Sequence, residues 1–358
     1  MVFLLSCARK EEPLIPKPQP SEGTPVNIIL MIGDGMGLAQ VSALRTAKHG
    51  DINIFRCATS GFQATQCADR YVTDSGASGT AMSTGEKTNY YYVGVDPEGN
   101  PLETILETAE KKGLMTGLVT TSSIVHATPA TFYAHTTDRF QYEDIALDLL
   151  HSGVDFFSGG GRKFFDNRSD SLNLIDSLVA RGYQVVGQPE EAVPGQGKIA
   201  VFYAENHPPS IPEGRGPVLK NSVVKALEHL KQSEKGFFMM IEGAQIDWAG
   251  EENDPDYLLA EMADFDDAVG VVLDFAQTEG NTLVIITGDH ETGGLALTDG
   301  DMVAGTIEAG FVSQTHTGIM VPVWAYGPGA GYFAGSYENT GIYERMIFQF
   351  GWVVGIEE

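Results

Sequence analysis

The segment Tyr71-Val-Thr-Asp74-Ser75-Gly-Ala-Ser78-Gly-Thr-Ala-Met-Ser-Thr-Gly85 gathers hydroxyls and a carboxylate where a helix can begin. Asp74 or Ser75 can cap that helix, which continues in small residues. A helix N-terminus offers free backbone N–H groups and the positive end of a dipole, both suited to phosphate. Taken alone, the pattern fits a small-residue helix against a sheet equally well. A second pattern adds weight. Apolar runs lead directly into groups able to bind a cation: Asp34, Glu242 and the pair Asp289-His290. A single such residue is usually a turn former or a helix cap. Several strand ends agreeing points to a shared site, because open α/β sheets bind ligands at the carboxyl ends of their strands.

The elements that must position these groups follow from the apolar spacing. Residues 26–33, 114–120, 237–241, 282–287 and 321–326 read as strands. Pro322 suggests a strand start or an edge. Helical periodicity appears over 102–112, 142–151, 172–181, 218–232 and 257–277. Strands alternating with helices predict a three-layer α/β sandwich, a mostly parallel central sheet covered by helices on both faces. Residues 186–217, rich in Pro and Gly, read as an irregular surface excursion. No internal repeat is apparent. Residues 26–358 are expected to form a single catalytic domain.

The chain has 358 residues, 48 acidic and 22 basic, for a net charge of -26. Such a surface repels nucleic acid and anionic lipid, so neither is expected as a partner. It also repels an anionic substrate. A phosphate site here needs strong local positive charge, and bound metal ions are the obvious source. Leu4-Leu5-Ser6-Cys7 looks like a bacterial lipobox, with Cys7 as the acylated residue, although no basic stretch precedes it. The Pro-rich, polar run to Pro25 reads as a tether for an anchored protein. Export to the periplasm or as a membrane-anchored lipoprotein is therefore expected. Cys57 and Cys67 flank an extended segment and read as two separate thiols.

Six blocks in order closely resemble the alkaline phosphatase family. They are Asn27-Ile-Ile-Leu-Met-Ile-Gly-Asp34-Gly-Met-Gly37, Val72 to Gly85, and His126-Ala-Thr128-Pro-Ala with Ala134-His135 and Arg139. Ile241-Glu242-Gly-Ala-Gln-Ile-Asp247-Trp248, Thr287-Gly-Asp289-His290-Glu-Thr-Gly-Gly294 and Thr315-His316-Thr-Gly318 complete the set. The resemblance implies hydrolysis of phosphate monoesters through a phosphoserine on Ser75. It implies two Zn2+ sites and one Mg2+ site. Asp34, Asp289 and His290 match one zinc site; Asp247 and His316 match two ligands of the other. Asp34, Thr128 and Glu242 match the magnesium site, whose all-oxygen set suits that ion. Arg139 matches the arginine that grips two phosphate oxygens, a task for its planar fork. His126 and Trp248 match positions that border the third metal and the phosphate. A homodimer is also implied.

One departure stands out. The family's third ligand of the Asp247 site is a histidine four residues on, and this chain has Glu251 there. Glutamate can bind zinc but weakens its Lewis acidity. Three alternatives compete with the phosphomonoesterase reading. A diesterase fits Arg139 poorly, and the Cys/Ser-x-Pro-x-Arg signature of sulfatases is missing. A surface lipoprotein that only binds phosphate or metal would leave Ser75 and Arg139 without work. Ser158-Gly-Gly-Gly161-Arg162 lacks the lysine and spacing of a P-loop and reads as a tight turn. His49, His151, His207 and His229 read as surface groups, and His135 as structural.

Overall fold

The structure, a computed structural model, describes residues 25–352. The lipobox-like start with Cys7 and all but the last residue of the tether lie outside them. The strands are β1 (Asn27–Gly33), β2 (Thr59–Ala64), β3 (Met115–Ser123), β4 (Phe156–Gly160), β5 (Tyr183–Val186), β6 (Lys198–Phe202) and β7 (Phe237–Gly243). They continue with β8 (Thr282–Gly288), β9 (Glu291–Thr292), β10 (Ala296–Asp301), β11 (Thr306–Gly310), β12 (His316–Thr317), β13 (Val321–Tyr326) and β14 (Gly335–Glu338). The helices are α1 (Leu38–Ala47), α2 (Ser75–Thr84), α3 (Ile105–Lys112), α4 (Ala127–Ala130), α5 (Tyr142–Ser152) and α6 (Lys163–Asp166). After them come α7 (Leu174–Ala180), α8 (Val218–Leu230), α9 (Gln245–Glu252), α10 (Pro255–Glu279) and α11 (Thr340–Gln349).

Ten strands form one sheet in the order β14-β2-β13-β8-β1-β7-β3-β4-β6-β5. Every neighbouring pair is parallel except those made by β13, which runs antiparallel to both β8 and β2. The central strand β1 shows why the chain builds three layers. All seven of its residues are buried. Alternate side chains point to opposite faces. Ile28, Leu30 and Ile32 join a core with residues of α2, α3, α5, α7 and α11. Ile29 and Met31 join a second core with residues of α1, α8, α9 and α10. A strand buried on both sides must be apolar throughout, which is what made it visible in the sequence.

Two expectations need correction. The stretch 186–217 is not wholly an excursion: it supplies β6 to the sheet, with Ile199, Ala200 and Val201 fully buried. Its Gly and Pro residues flank the strand and mask it. Ser158-Gly-Gly is the end of β4, and only Gly161, at φ 94, makes a turn. Of the two readings of Pro322, strand start or edge, the first holds. The proline sits at the start of β13, and its carbonyl accepts a bond from Thr287 Oγ1 at 2.9 Å. Its pairing with β8 begins only at Val323, so the missing N–H breaks no ladder bond there. Cys57 and Cys67 are both free, at opposite ends of β2.

The register places the chemistry. Gly33 of β1 stands beside Gly243 of β7 and Gly288 of β8. Asp34, Ala244 and Asp289 therefore leave the sheet side by side. Behind them Phe265 of α10 is fully buried, and a Cβ on Gly243 would lie 2.7 Å from its ring. Truncating that ring opens a cavity under the site's floor. Phe265→Ala is expected to cost about 3–5 kcal/mol, read as a lower denaturant midpoint in equilibrium unfolding.

Candidate active site

The sequence starts α2 at a place where one carboxylate performs three tasks. Asp74 caps the helix, accepting from Gly76 N at 3.1 Å and Ala77 N at 3.2 Å. It also takes a charge-assisted bond of 2.7 Å from Arg139 Nη1. Its other oxygen accepts from Tyr91 N at 3.0 Å. Asp74 is fully buried, and the Arg139 guanidinium nearly so. The small residues of α2 allow close approach: a Cβ on Gly79 would lie 2.6 Å from Thr131 Oγ1.

Ser75 opens the helix with its hydroxyl 3.3 Å from Asp34 Oδ2 and 3.4 Å from His290 Nε2. Ser78, one turn on, is otherwise engaged. Its hydroxyl donates to the Asp289 carbonyl at 2.7 Å and accepts from Asn339 Nδ2 at 3.1 Å.

Two compact sets of donor atoms lie beyond Ser75. Asp34, Asp289 and His290 form one; Asp247, His290 and His316 form the other. Within each set the atoms lie within 4.8 Å of one another. Hydrogen bonds fix both imidazoles. His316 Nδ1 lies 2.8 Å from the Thr73 carbonyl, which can only accept, so Nδ1 carries the proton. The single hydroxyl hydrogen of Thr292 goes to Asp247, so Thr292 accepts from His290 Nδ1 at 3.3 Å. Both Nε2 lone pairs therefore face the carboxylates, an arrangement that suits a cation between them. Asp34 Oδ1, Asp289 Oδ2 and Glu242 Oε1 are buried without a hydrogen bond, which also fits cation ligation. Glu242 Oε2 accepts from Thr120 and Ser122, and Thr128 Oγ1 reaches Asp34 Oδ2 at 3.5 Å.

Burial and mutual repulsion mark the same groups. Desolvation, followed by Asp289, Asp247 and Glu242, holds the Asp34 carboxyl well above its usual range. Burial pushes Asp289 up to about 6 and Glu242 up to about 7. Burial, with His316 and Arg139 nearby, keeps His290 neutral far below its usual value.

A cleft of about 270 Å³ gives access, walled by Ser75, Arg139, His126, Trp248, Asp247 and His316. His126 Nε2 accepts from Arg139 Nη2 at 3.3 Å. Glu251 lines the cleft on the same face of α9 as Asp247, as the four-residue spacing predicts. It is exposed and stands outside both donor sets, where His290 takes the third corner of the Asp247 set.

Two of the discounted histidines are not surface groups. His207 meets His126 and Trp248 edge to face, with centroids 5.2 and 5.1 Å away, and its Nδ1 accepts from Ser123 N. His229 is buried, its Nδ1 accepting from Gly195 N at 3.1 Å. His49 and His151 are exposed, and His135 is structural, bridging Gly94 O and Glu107. The sequence reading did not find Asp74 as the partner of Arg139, Thr292 as the group that orients His290, or Tyr90, Tyr91 and Phe140 along the cleft. Only the tyrosines left a signal: Tyr90-Tyr91-Tyr92 is a run of aromatics inside a polar loop.

A hydroxyl, an arginine fork and cation-ready donors around one cleft at the sheet's carboxyl edge define a metal-dependent hydrolase of phosphate esters. A family profile described as alkaline phosphatase matches residues 26–309. Alkaline phosphatase 3 of Bacillus subtilis is 32% identical, over 90% of this chain and 88% of its own. Alkaline phosphatase of Escherichia coli K12 is also 32% identical, over 89% and 85%. The solved alkaline phosphatase of the Antarctic bacterium TAB5 superposes with a TM-score of 0.88 at 38% identity, covering 92% of this chain and 99% of its own. Variants of that enzyme are described with Mg bound in the M3 site. The chain belongs to the alkaline phosphatase family and is a phosphoric monoester hydrolase.

Asp289 and Glu242 have folded values above the ordinary carboxylate range. In protein stripped of cations they keep protons that the unfolded chain has already released. Stability of the stripped protein is therefore expected to fall as pH rises from about 4 through 7. Added Zn2+ or Mg2+ restores it, because binding to the folded state alone stabilises that state. Melting temperature against pH, with and without a chelator, checks both statements.

Proposed function

We propose that Ser75 is the group that accepts the phosphoryl unit. Its Oγ bonds to the phosphorus of a monoester as the bond to the alcohol oxygen breaks. Water then attacks the phosphoserine, releasing inorganic phosphate and restoring the serine. The observation that carries this reading is the position of Ser75 Oγ, within 3.4 Å of both Asp34 and His290 on the cleft wall that holds Arg139. Ser75 Oγ donates to Asp34 Oδ2 at 3.3 Å. The serine alkoxide would be favoured by a cation held by Asp34, Asp289 and His290, and the proton ends on the departing alcohol oxygen. Arg139, aimed by Asp74 and His126, grips two oxygens of a terminal phosphate. Trp248 and His126 limit where that phosphate can sit.

Asp34, Asp289 and His290 are read as holding one Zn2+. Asp247, His316 and Glu251 are read as holding a second, and Asp34, Thr128 and Glu242 as holding Mg2+. Bound there, the cations supply positive charge to the attacking and leaving oxygens. The lone-pair directions of His290 and His316 and the unbonded carboxylate oxygens support the ligand sets. The all-oxygen third set, and the Mg described in the TAB5 variants, support magnesium there. Residues 26–358 are read as one catalytic unit, supported by the family match and the extent of the TAB5 superposition. Export with an acylated Cys7 rests on Leu4-Leu5-Ser6-Cys7, and a homodimer rests on the family resemblance. Among the described residues no helix is long and apolar enough to cross a membrane.

Ser75→Ala is expected to abolish trapping of phosphoenzyme at acid pH and to remove most turnover of p-nitrophenyl phosphate. Phosphate trapped on Ser78 would overturn the assignment. A second substitution addresses the family departure. Neutral imidazole leaves a bound ion one unit more positive than carboxylate does, so Glu251→His is expected to raise zinc occupancy or activity near neutral pH. Assays after stripping and reloading with zinc, magnesium or manganese check this. A wild type that outperforms the variant with every ion shows a site adapted to glutamate.

A further inference from the structure

The cleft that holds Ser75 and Arg139 has an aromatic wall for which the phosphate chemistry has no use. Tyr90, Tyr91 and Phe140 form it. Their rings make a continuous row. The centroids of Tyr90 and Tyr91 are 4.3 Å apart, and Tyr91 meets Phe140 edge-on at 5.3 Å. Arg70 pins the outer end, its guanidinium 4.1 Å from the Tyr90 centroid. Arg139 marks the inner end, 5.8 Å from the Phe140 centroid. The row therefore starts at the phosphate-gripping fork and leads away from it. Its middle rings remain in water: Tyr91 is 41% exposed and Phe140 53%.

Tyr91 is also strained. Its φ is 72, in the left-handed region, where a bulky residue is uncommon and carries a penalty. Its backbone explains the conformation. Tyr91 N donates to Asp74 at 3.0 Å, and Tyr91 O accepts from Arg139 N at 3.0 Å. Glycine would make both bonds without strain. The backbone bonds thus account for the turn but not for the ring, which needs a reason of its own.

We propose that Tyr91 and Phe140 form the leaving-group subsite, a platform on which a planar aromatic alcohol packs while Arg139 holds its phosphate. The inference rests on the Ser75 reading above and names the substrate class the cleft favours: aryl and arylmethyl phosphate monoesters over small alkyl ones. Ser75, Arg139, Tyr91 and Phe140 line one cleft, and the Arg139 guanidinium lies 5.8 Å from the Phe140 centroid, so an alcohol ring attached to a phosphate held by Arg139 comes within reach of the row. A short alkyl group does not reach it. Offset or edge-on packing of a flat alcohol removes apolar surface of both partners from water.

The test compares benzyl phosphate with ethyl phosphate. Their leaving alcohols are of similar acidity, so the ring is the difference that the ratio of kcat/KM reads. Wild type is expected to prefer the benzyl ester by about tenfold, the factor that aromatic contacts of ordinary strength give. Phe140→Ala and Tyr91→Gly are each expected to bring the ratio to within about twofold of unity. Competitive inhibition by inorganic phosphate, which has no ring to pack, reports in each variant whether Arg139 is still held. Tyr91→Gly, relieved of strain, melts no lower than Tyr91→Ala, which separates loss of the subsite from loss of fold. An unchanged ratio in both variants overturns the proposal. So does an equal fall for both esters with weaker phosphate inhibition, which would show that the rings act by holding Arg139. A wild type inactive on both esters and insensitive to phosphate defeats the phosphomonoesterase reading itself, and the subsite with it.

Discussion

Mutual repulsion of buried carboxylates is the constraint around which this protein is arranged. Asp34, Glu242 and Asp289 leave adjacent parallel strands and are almost wholly buried, with Asp247 close by on α9. Each oxygen that lacks a hydrogen bond exposes its charge to the next across a medium that screens poorly. Among the described residues, the ion-pair partners of Asp34, Asp289 and Asp247 are histidines, and Arg139 is committed to Asp74. The sheet forces the groups together because three neighbouring strands end in register. Only a compact cation satisfies several such oxygens at once. The same cation is what an anionic substrate needs in a chain of net charge -26. Folding, metal retention and substrate attraction thus share one cause.

Asp74 extends that logic to the substrate side. One carboxylate ends the loop, starts α2, aims Arg139 and anchors Tyr91. Because the cap fixes the carboxylate and the carboxylate fixes the guanidinium, the fork is preorganised relative to Ser75, the next residue in the chain. Preorganised charge is worth more than mobile charge, since nothing must reorient during the reaction.

How far the sequence disclosed this depends on where the information lies. The long inner strands β1, β7 and β8 are apolar throughout, and their polar terminators were legible. Short β4, β5 and β6 were not, since runs of four or five residues flanked by glycine carry little periodicity. Of the site, Ser75 and the donors of Asp34, Asp289 and His290 lie in local motifs, and the fold brings them close together. The tautomers of His290 and His316 depend on Thr292 and on the Thr73 carbonyl, contacts made only by tertiary packing. Glu251 shows the limit from the other side. Its helical spacing from Asp247 was readable, but the corner it was expected to fill is shared by His290, which no spacing along one helix could show.

The reversed direction of β13 has a further consequence. Since it runs against its neighbours, its amino end lies at the rim where the others finish, and the segment carrying His316 enters the site from there. The two imidazoles therefore arrive some 215 and 241 residues after Ser75. A chain still being synthesised displays the serine, Asp34 and the helix cap long before it owns a nitrogen ligand. Contacts so distant in sequence form late. The growing polypeptide cannot assemble either histidine-containing donor set until β8 has been made, and the set with His316 waits for the segment before β13. The two sets are completed only after the serine and its helix cap have long been in place.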